Sequence, residues 1–378
     1  MQKLNQSALL ESSKQLRHLT QRLQVTFVGR AAAGIWAALR AWGLQDEVIL
    51  LAANTCYIVL WAILKSGNRP LLVDVDKRTA NLTVEGLEVH RTAHSAVVIP
   101  CHMYGLPAPM QSICEWAQAN GVKVIEDAAL ALGATVDGRP AGSWGDASIV
   151  SFGLGKIVDN QVGGALLTDD PLLANAVTKV LAESPVWDDR LLALTNQWNG
   201  LYWSLHQYES QNPRLLDLYP QLFDMYGDLT TYQLAADDWV DLPALLRGLP
   251  DNLAHRARLA ALYDSQLGIT DLKADSTLLL PLERPPVSIL WRYPLLVHPN
   301  IRDELLGYLW EQGIHEATRW YPPLRPMTLA LAPHMPQPIT PVADALGASI
   351  FNLPLDESVD EHFVSHTTEL IRTFLAEI

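Results

Sequence analysis

The sequence predicts an α/β fold: a large domain with a mostly parallel sheet flanked by helices, and a smaller α+β domain after it. Two observations carry that expectation. Short apolar runs alternate with helix-patterned segments from Val25 to residue 183, an alternation that builds a parallel sheet covered on both faces. The chain has 378 residues, 49% of them hydrophobic and 18% charged, which suits two domains and a large core.

Residues 4–24 place Leu4, Leu16, Leu19 and Leu23 at helical spacings, so an amphipathic N-terminal helix opens the chain. VILLA (48–52), PLLVD (70–74), SAVVIP (95–100) and KVIED (123–127) read as buried strands. Segments 31–43, 57–66 and 109–120 read as the helices between them. ASIVSFG (147–153) and GGALLTD (163–169) follow as two strands joined by a short polar crossing, and 170–183 returns to helix.

Residues 184–230 are rich in tryptophan and show no period, so they read as irregular. Residues 232–265 read as helical, broken by Pro243 and Pro250. Proline-rich zones lie at 278–288, 320–327 and 332–341. WRYPLLVHP (291–299) reads as a strand, 301–313 as a helix, and the tail from Leu355 as a helix. The expected division is an N-terminal helix (1–24), a large domain (25–240) and a small C-terminal domain (241–378).

The formal net charge of −14 disfavours a nucleic-acid partner. Cys56, Cys101 and Cys114 form no ligand-like cluster, which argues against a bound metal and for a reducing, cytoplasmic setting. No leader-like segment and no long apolar run is present, so no membrane association is expected. Trp187, Trp198, Trp203, Trp239 and Trp291 fall close together. They suit a core and a subunit interface, or a stacking surface for a ring-shaped substrate.

Three places carry chemistry. Asp127 ends a buried strand, where ligands bind in open α/β sheets; a cap for the next helix is the alternative. In SFGLGK (151–156), Gly153 and Gly155 shape a turn that can hold Lys156 still. A desolvated lysine is a usable amine nucleophile, while a surface-turn lysine is the plainer reading. GRAAAG (29–34) opens a helix with small residues, leaving backbone N–H groups free to meet an anion. Together they suggest a cofactor with a phosphate, a ring nitrogen and an aldehyde.

The order of these pieces resembles a known family. The likeness lies in VIPCHMYGLPAPM (98–110), VIEDAALALGATVDGRPAGSWGDASIVSFGLGK (124–156) and VGGALLTDD (162–170). It continues in GNRPLLVDVDKRTANLTVEGLE (67–88), GIHEATRWYPPL (313–324) and FNLPLDES (351–358). From about Val25 to the tail the chain is similar to the DegT/DnrJ/EryC1/StrS sugar aminotransferases, which are fold type I pyridoxal-phosphate enzymes. The resemblance implies that Lys156 carries pyridoxal 5'-phosphate covalently and shuttles protons. It implies that Asp127 pairs with the ring nitrogen, and that Ser151 with the amides of Ala31 and Ala32 holds the phosphate. It further implies a homodimer, a small-molecule amino donor such as glutamate, and a keto acceptor such as a nucleotide-linked keto sugar.

The chain departs from the family pattern in several places, as a divergent member would. Arg30-Ala31-Ala32-Ala33 offers no hydroxyl in the first phosphate loop. Leu130 stands where a hydrogen-bonding residue is usual. Cys56 follows Thr55, so ring stacking falls to Tyr57 or is lost. Residues 227–238 lack the family's asparagine and arginine, and Ala52 replaces a proline. Lys156 itself is intact, which argues against the dehydratase branch. Arg292 and Arg319 are candidates for docking a donor carboxylate. His315 and Tyr321 are candidates for approaching the acceptor, and His102 reads as structural. A dehydration or elimination reaction, or a silent binding homologue, are the competing functions.

Overall fold

A computed structural model describes residues 2–208, 212–268, 284 and 288–377. The proline-rich zone at 278–288 lies outside the described residues except for Arg284 and Ser288.

Helix α1 (Gln2–Thr20) opens the chain, with Leu16 fully buried. The expected helix ran on to residue 24, but the chain turns at Gln21, which takes a φ of 58°. Arg22 is drawn inward there: it bonds Asp169 at 2.9 Å and the carbonyl of Gly142 at 3.1 Å. Leu23 is left exposed.

The main sheet contains β1 (Gln24–Val28), β2 (Val48–Ala52), β3 (Arg69–Val73), β4 (Ser95–Ile99) and β5 (Lys123–Asp127). A small ladder, β6 (Thr135–Val136) with β7 (Arg139–Pro140), stands apart, and β8 (Ala147–Ser151) and β9 (Gly164–Thr168) complete the main sheet. The order is β1-β9-β8-β5-β4-β2-β3. Strands β3, β2, β4, β5 and β8 are all parallel, and β9 alone runs against its neighbours β8 and β1. Every residue of VILLA is buried, as a strand covered on both faces requires.

The helices that flank the sheet are α2 (Ala31–Ala41), α3 (Tyr57–Lys65), α4 (Val84–His90), α5 (Met110–Asn120) and α6 (Pro171–Leu181). Helix α4 was not anticipated. Its signal is Thr83, whose side chain accepts from Gly86 N as an N-cap.

Residues 184–230 are not irregular. They hold α7 (Asp189–Tyr208) and α8 (Tyr219–Tyr226). Leu191, Trp198, Tyr202 and Leu205 form the buried stripe of α7 at helical spacing. Two of the four are aromatic and polar residues separate them, so the stripe is hard to see in hydropathy alone. Trp198 packs on Tyr57 and Trp61, and Trp203 on Trp320. Pro243 and Pro250 start helices rather than break one, in the first turns of α9 (Leu242–Arg247) and α10 (Leu249–Gln266). A first-turn residue needs no backbone N–H, so proline fits there.

The remaining elements are β10 (Tyr293–Leu296), α11 (Pro299–Glu311), α12 (Arg325–Leu331), α13 (Pro341–Ser349), β11 (Ile350–Leu353) and α14 (Glu361–Glu377). Strands β10 and β11 pair antiparallel, and α14 packs against α10 and α11. This part grips the edge of the main sheet. Gln337 donates to Pro70 O and accepts from Leu72 N, completing the open edge of β3. Asp74, just past β3, accepts from Val342 N and Ala343 N at the start of α13. Among the described residues no helix is long and apolar enough to cross a membrane, and no group of three or more His, Cys, Asp or Glu could hold a metal.

Candidate active site

Parallel strands end at the same edge of a sheet, and that fact assembles the site. Strand β5 ends in Asp127, its parallel neighbour β8 ends in Ser151, and Cys101 lies just past β4. Thr55 and Cys56 lie just past β2. The turn after β8 carries Lys156.

That turn is tightly bonded. Leu154 N donates to Gln161 O at 3.0 Å, Lys156 N to Gly153 O at 3.1 Å, and Gly155 N to the Asp159 carboxylate at 2.7 Å. Gly155 takes a φ of +74°, which favours glycine. Lys156 is therefore not a loose surface lysine. Its Nζ stands 5.3 Å from the centre of the Trp291 ring. Burial pushes its pKa down, and the neighbouring Cys56, Asp127 and Cys101 only partly restore it. A cleft of about 620 Å³ opens against the turn, lined among others by Arg256 and Asp356.

Asp127 is 4% exposed. Its carboxylate accepts from Ala129 N at 3.0 Å and from the Cys101 thiol. Burial raises its pKa, against the pull of that amide and Lys156. It is a buried acid that a cation would satisfy. Leu130, three residues on, is buried and has no side-chain hydrogen-bonding group to offer.

Ala31 and Ala32 begin α2, and no side chain caps the helix there. Ser151 pairs with Gly164, and a Cβ on Gly164 would come within 2.8 Å of both Ala31 N and Val150 O. Glycine thus lets the start of α2 close on the ends of β8 and β9, bringing the Ala31 amide and Ser151 into one neighbourhood. Residues 227–238 brace this corner from behind. Tyr232 O accepts from Gly29 N at 3.2 Å, Leu229 O from Arg30 at 3.0 Å, and Asp238 O from Asn160 at 2.9 Å.

The other expected residues divide. Tyr321 is brought to the site: it is buried, its ring stacks on Trp291 at 5.8 Å, and its phenol pKa is driven up by burial and by Cys56, Cys101 and Asp127. Tyr57 is not brought to Lys156 in the same way. Its hydroxyl accepts from Trp198 Nε1 at 2.6 Å, and its ring packs among Trp61, Trp198 and Tyr202. Cys56 is the side chain of that segment that shares the lysine's surroundings. Arg319 lies 3.6 Å from Asp303, and His315 is exposed against Trp310. Arg292 donates to the carbonyls of Glu316 and Asn352.

His102 is structural. Its Nδ1 accepts from Ala108 N at 3.0 Å, so the proton sits on Nε2 and is donated to Glu126 at 2.9 Å. Three residues were not anticipated at the site: Cys56, Cys101 and Trp291. Cys101 reads from sequence only as a possible metal ligand, Cys56 also as a departure at the ring-stacking position, and Trp291 as one of five tryptophans suited to core, interface or stacking; their place follows from elements that lie far apart in sequence.

The chain is similar to known proteins in sequence and in fold. The profile of the DegT/DnrJ/EryC1/StrS aminotransferase family matches residues 8–191. The chain is 28% identical to a UDP-N-acetyl-3-dehydro-alpha-D-glucosamine 3-aminotransferase of Acidithiobacillus ferrooxidans, over 89% of this chain and 80% of the relative. It is also 28% identical to a dTDP-4-dehydro-2,3,6-trideoxy-D-glucose 4-aminotransferase of Saccharopolyspora spinosa, over 89% and 81%. Among solved structures, the aminotransferase TlmJ from Streptoalloteichus hindustanus superimposes with a TM-score of 0.77 at 22% identity, over 97% of this chain and 90% of that one.

Proposed function

We propose that the chain is an enzyme of the DegT/DnrJ/EryC1/StrS aminotransferase family, whose profile matches residues 8–191, and that it transfers an amino group from an amino acid to a keto sugar carried on a nucleotide. Pyridoxal 5'-phosphate is the proposed cofactor, glutamate the proposed donor and a cytoplasmic homodimer the proposed form. Both relatives named above act, by their names, on keto sugars linked to UDP or dTDP.

The observation that carries the reading is the convergence of Lys156 and the buried, under-bonded Asp127. This donor set suits pyridoxal phosphate. The uncapped amides of Ala31 and Ala32 with Ser151 suit its phosphate, Asp127 its ring nitrogen, and Lys156 its aldehyde. When bound, the cofactor supplies an electron sink for the carbon that loses a proton.

The chain's own residues supply the rest. Asp127 holds a positive charge opposite its carboxylate, which offsets the cost of burying it. Lys156 has a lowered proton affinity, so its amine is more often neutral at working pH. A neutral Nζ can take the proton from the donor carbon and return it to the neighbouring carbon, acting as base and then as acid. Buried Tyr104, Tyr321 and Trp291 keep water from that face.

The test begins with the visible spectrum of protein purified with pyridoxal phosphate. A band that Lys156→Ala abolishes is expected, and a colourless wild type that never takes up the cofactor would sink the reading. Addition of glutamate should bleach the band, and a nucleotide-linked keto sugar should restore it with an aminated product seen by mass spectrometry. Uptake of cofactor without a response to any amino donor would favour elimination chemistry instead.

A further inference from the structure

Trp291 meets the lysine turn twice. Its indole N–H donates to the carbonyl of Gly155 at 2.6 Å, one residue before Lys156. Its ring lies 5.3 Å from Lys156 Nζ. The tryptophan is itself anchored: its backbone N donates to Tyr104 O at 2.9 Å, and its carbonyl accepts from the buried Arg256. Ile289 lies so close to Gly105 that a Cβ on that glycine would meet Ile289 O at 1.7 Å. The segment 289–291 is therefore seated on the 104–105 turn without room to slide. The ring also stacks on Tyr321, tilted by 20°.

We propose that Trp291 is a positioning residue for Lys156: its indole N–H pins the turn, and its ring face receives the Nζ ammonium each time the freed amine has taken up a proton. An aromatic face attracts a cation most strongly where water is excluded, and Trp291 is 6% exposed. A lysine that is alternately bonded and released needs a defined resting place in reach of the reacting carbons. A flexible four-carbon chain does not provide one alone. The other charged or titratable groups facing the amine are Cys56 at the start of α3, Cys101 beyond β4, Asp127 at the end of β5 and Arg30 before α2. Three of them favour the ammonium, as the ring does, while Arg30 and burial oppose it.

The meaning for turnover rests on the role given to Lys156 above, but the test does not. Full-length protein freed of cofactor with hydroxylamine is trace-labelled with acetic anhydride across a pH series. Labelling of Lys156 is quantified by peptide mass spectrometry. Trp291→Leu and Trp291→Met should shift the Lys156 titration down by roughly 0.5–1.5 pH units, because the ring's attraction for the charged form is gone. A titration at or above the wild-type position would overturn the proposal, since solvent entry would then outweigh the ring.

Trp291→Phe keeps an aromatic face and loses the indole N–H. It should shift the titration less and raise amide exchange across 153–161 several-fold; unchanged exchange would refute the pinning. If the aliphatic variants do not fold, Trp291→Phe decides alone, a smaller downward shift supporting the ring's role and none refuting it. The readout needs no cofactor, so a wild type that never binds one would defeat the functional reading and leave this result standing.

Discussion

Glu126 and Asp127 are consecutive residues of one strand, both buried acids, and they have opposite fates. Successive side chains of a strand point to opposite faces. Glu126 accepts from His102 Nε2 at 2.9 Å, Gly142 N at 2.8 Å and Trp144 N at 2.7 Å. Asp127 has one amide and one thiol. The first acid is saturated with donors and ties β5 to the segments at 102 and 142–144. The second is left short of donors at the sheet edge where ligands bind. A buried acid with all its partners is architecture, whereas one lacking a partner is waiting for something outside the chain.

The comparison breaks most visibly at Glu126. Glu126→Ala orphans an imidazole N–H and two backbone amides at a fully buried position. A loss of about 3–5 kcal/mol is expected, measured by urea denaturation. If stability barely changes, the saturated acid is not the clasp its bonds suggest.

Asp127→Asn should do the reverse. Turnover should fall roughly 10²–10³-fold, the scale for removing one preorganised electrostatic partner, while the protein stays folded by circular dichroism. Retained turnover would show that Asp127 does not hold the cofactor ring.

Stability sharpens the same contrast. Burial raises the pKa of Asp127, so the fold holds its proton where the unfolded chain has lost it. The associated stability is fully present below the unfolded value and is lost as pH rises through the folded one. Above that folded value the cofactor-free protein thus bears an ionised, under-bonded acid. Asp127→Asn should stabilise it by about 0.5–2 kcal/mol, as substitutions at strained functional sites commonly do. The gain should shrink in acid and when pyridoxal phosphate is added, which thermal melts at several pH values would reveal.

The sequence makes one side of this contrast legible. KVIED announces a buried strand ending in an acid, and SFGLGK a glycine-shaped turn bearing a lysine, because both signals are local. Parallel strand order then brings Asp127 and Ser151 to one edge. What was hidden is non-local. Trp291 reaches Gly155 across the fold, and Cys56 reaches the lysine because α3 starts at the same sheet edge. The buried stripe of α7 was missed because aromatics and polar residues blur its period, and Pro243 and Pro250 misled because proline opens helices as readily as it ends them.

The finest test of the contrast lies in the thiol that partners Asp127. Cys101 is buried, and burial and the nearby Asp127 carboxylate hold its pKa well up, so it stays a thiol and can donate. That donation is one of the forces keeping Asp127 from rising further. Cys101→Ala should therefore move the acidic limb of kcat/KM to higher pH, since the carboxylate ionises later without its donor. Cys101→Ser keeps a donor in place and should return the limb towards the wild-type position. A limb that does not move in the alanine variant would mean that bound cofactor, rather than the thiol, sets the charge of Asp127. The two acids of β5 would then differ only in what the chain supplies before the ligand arrives.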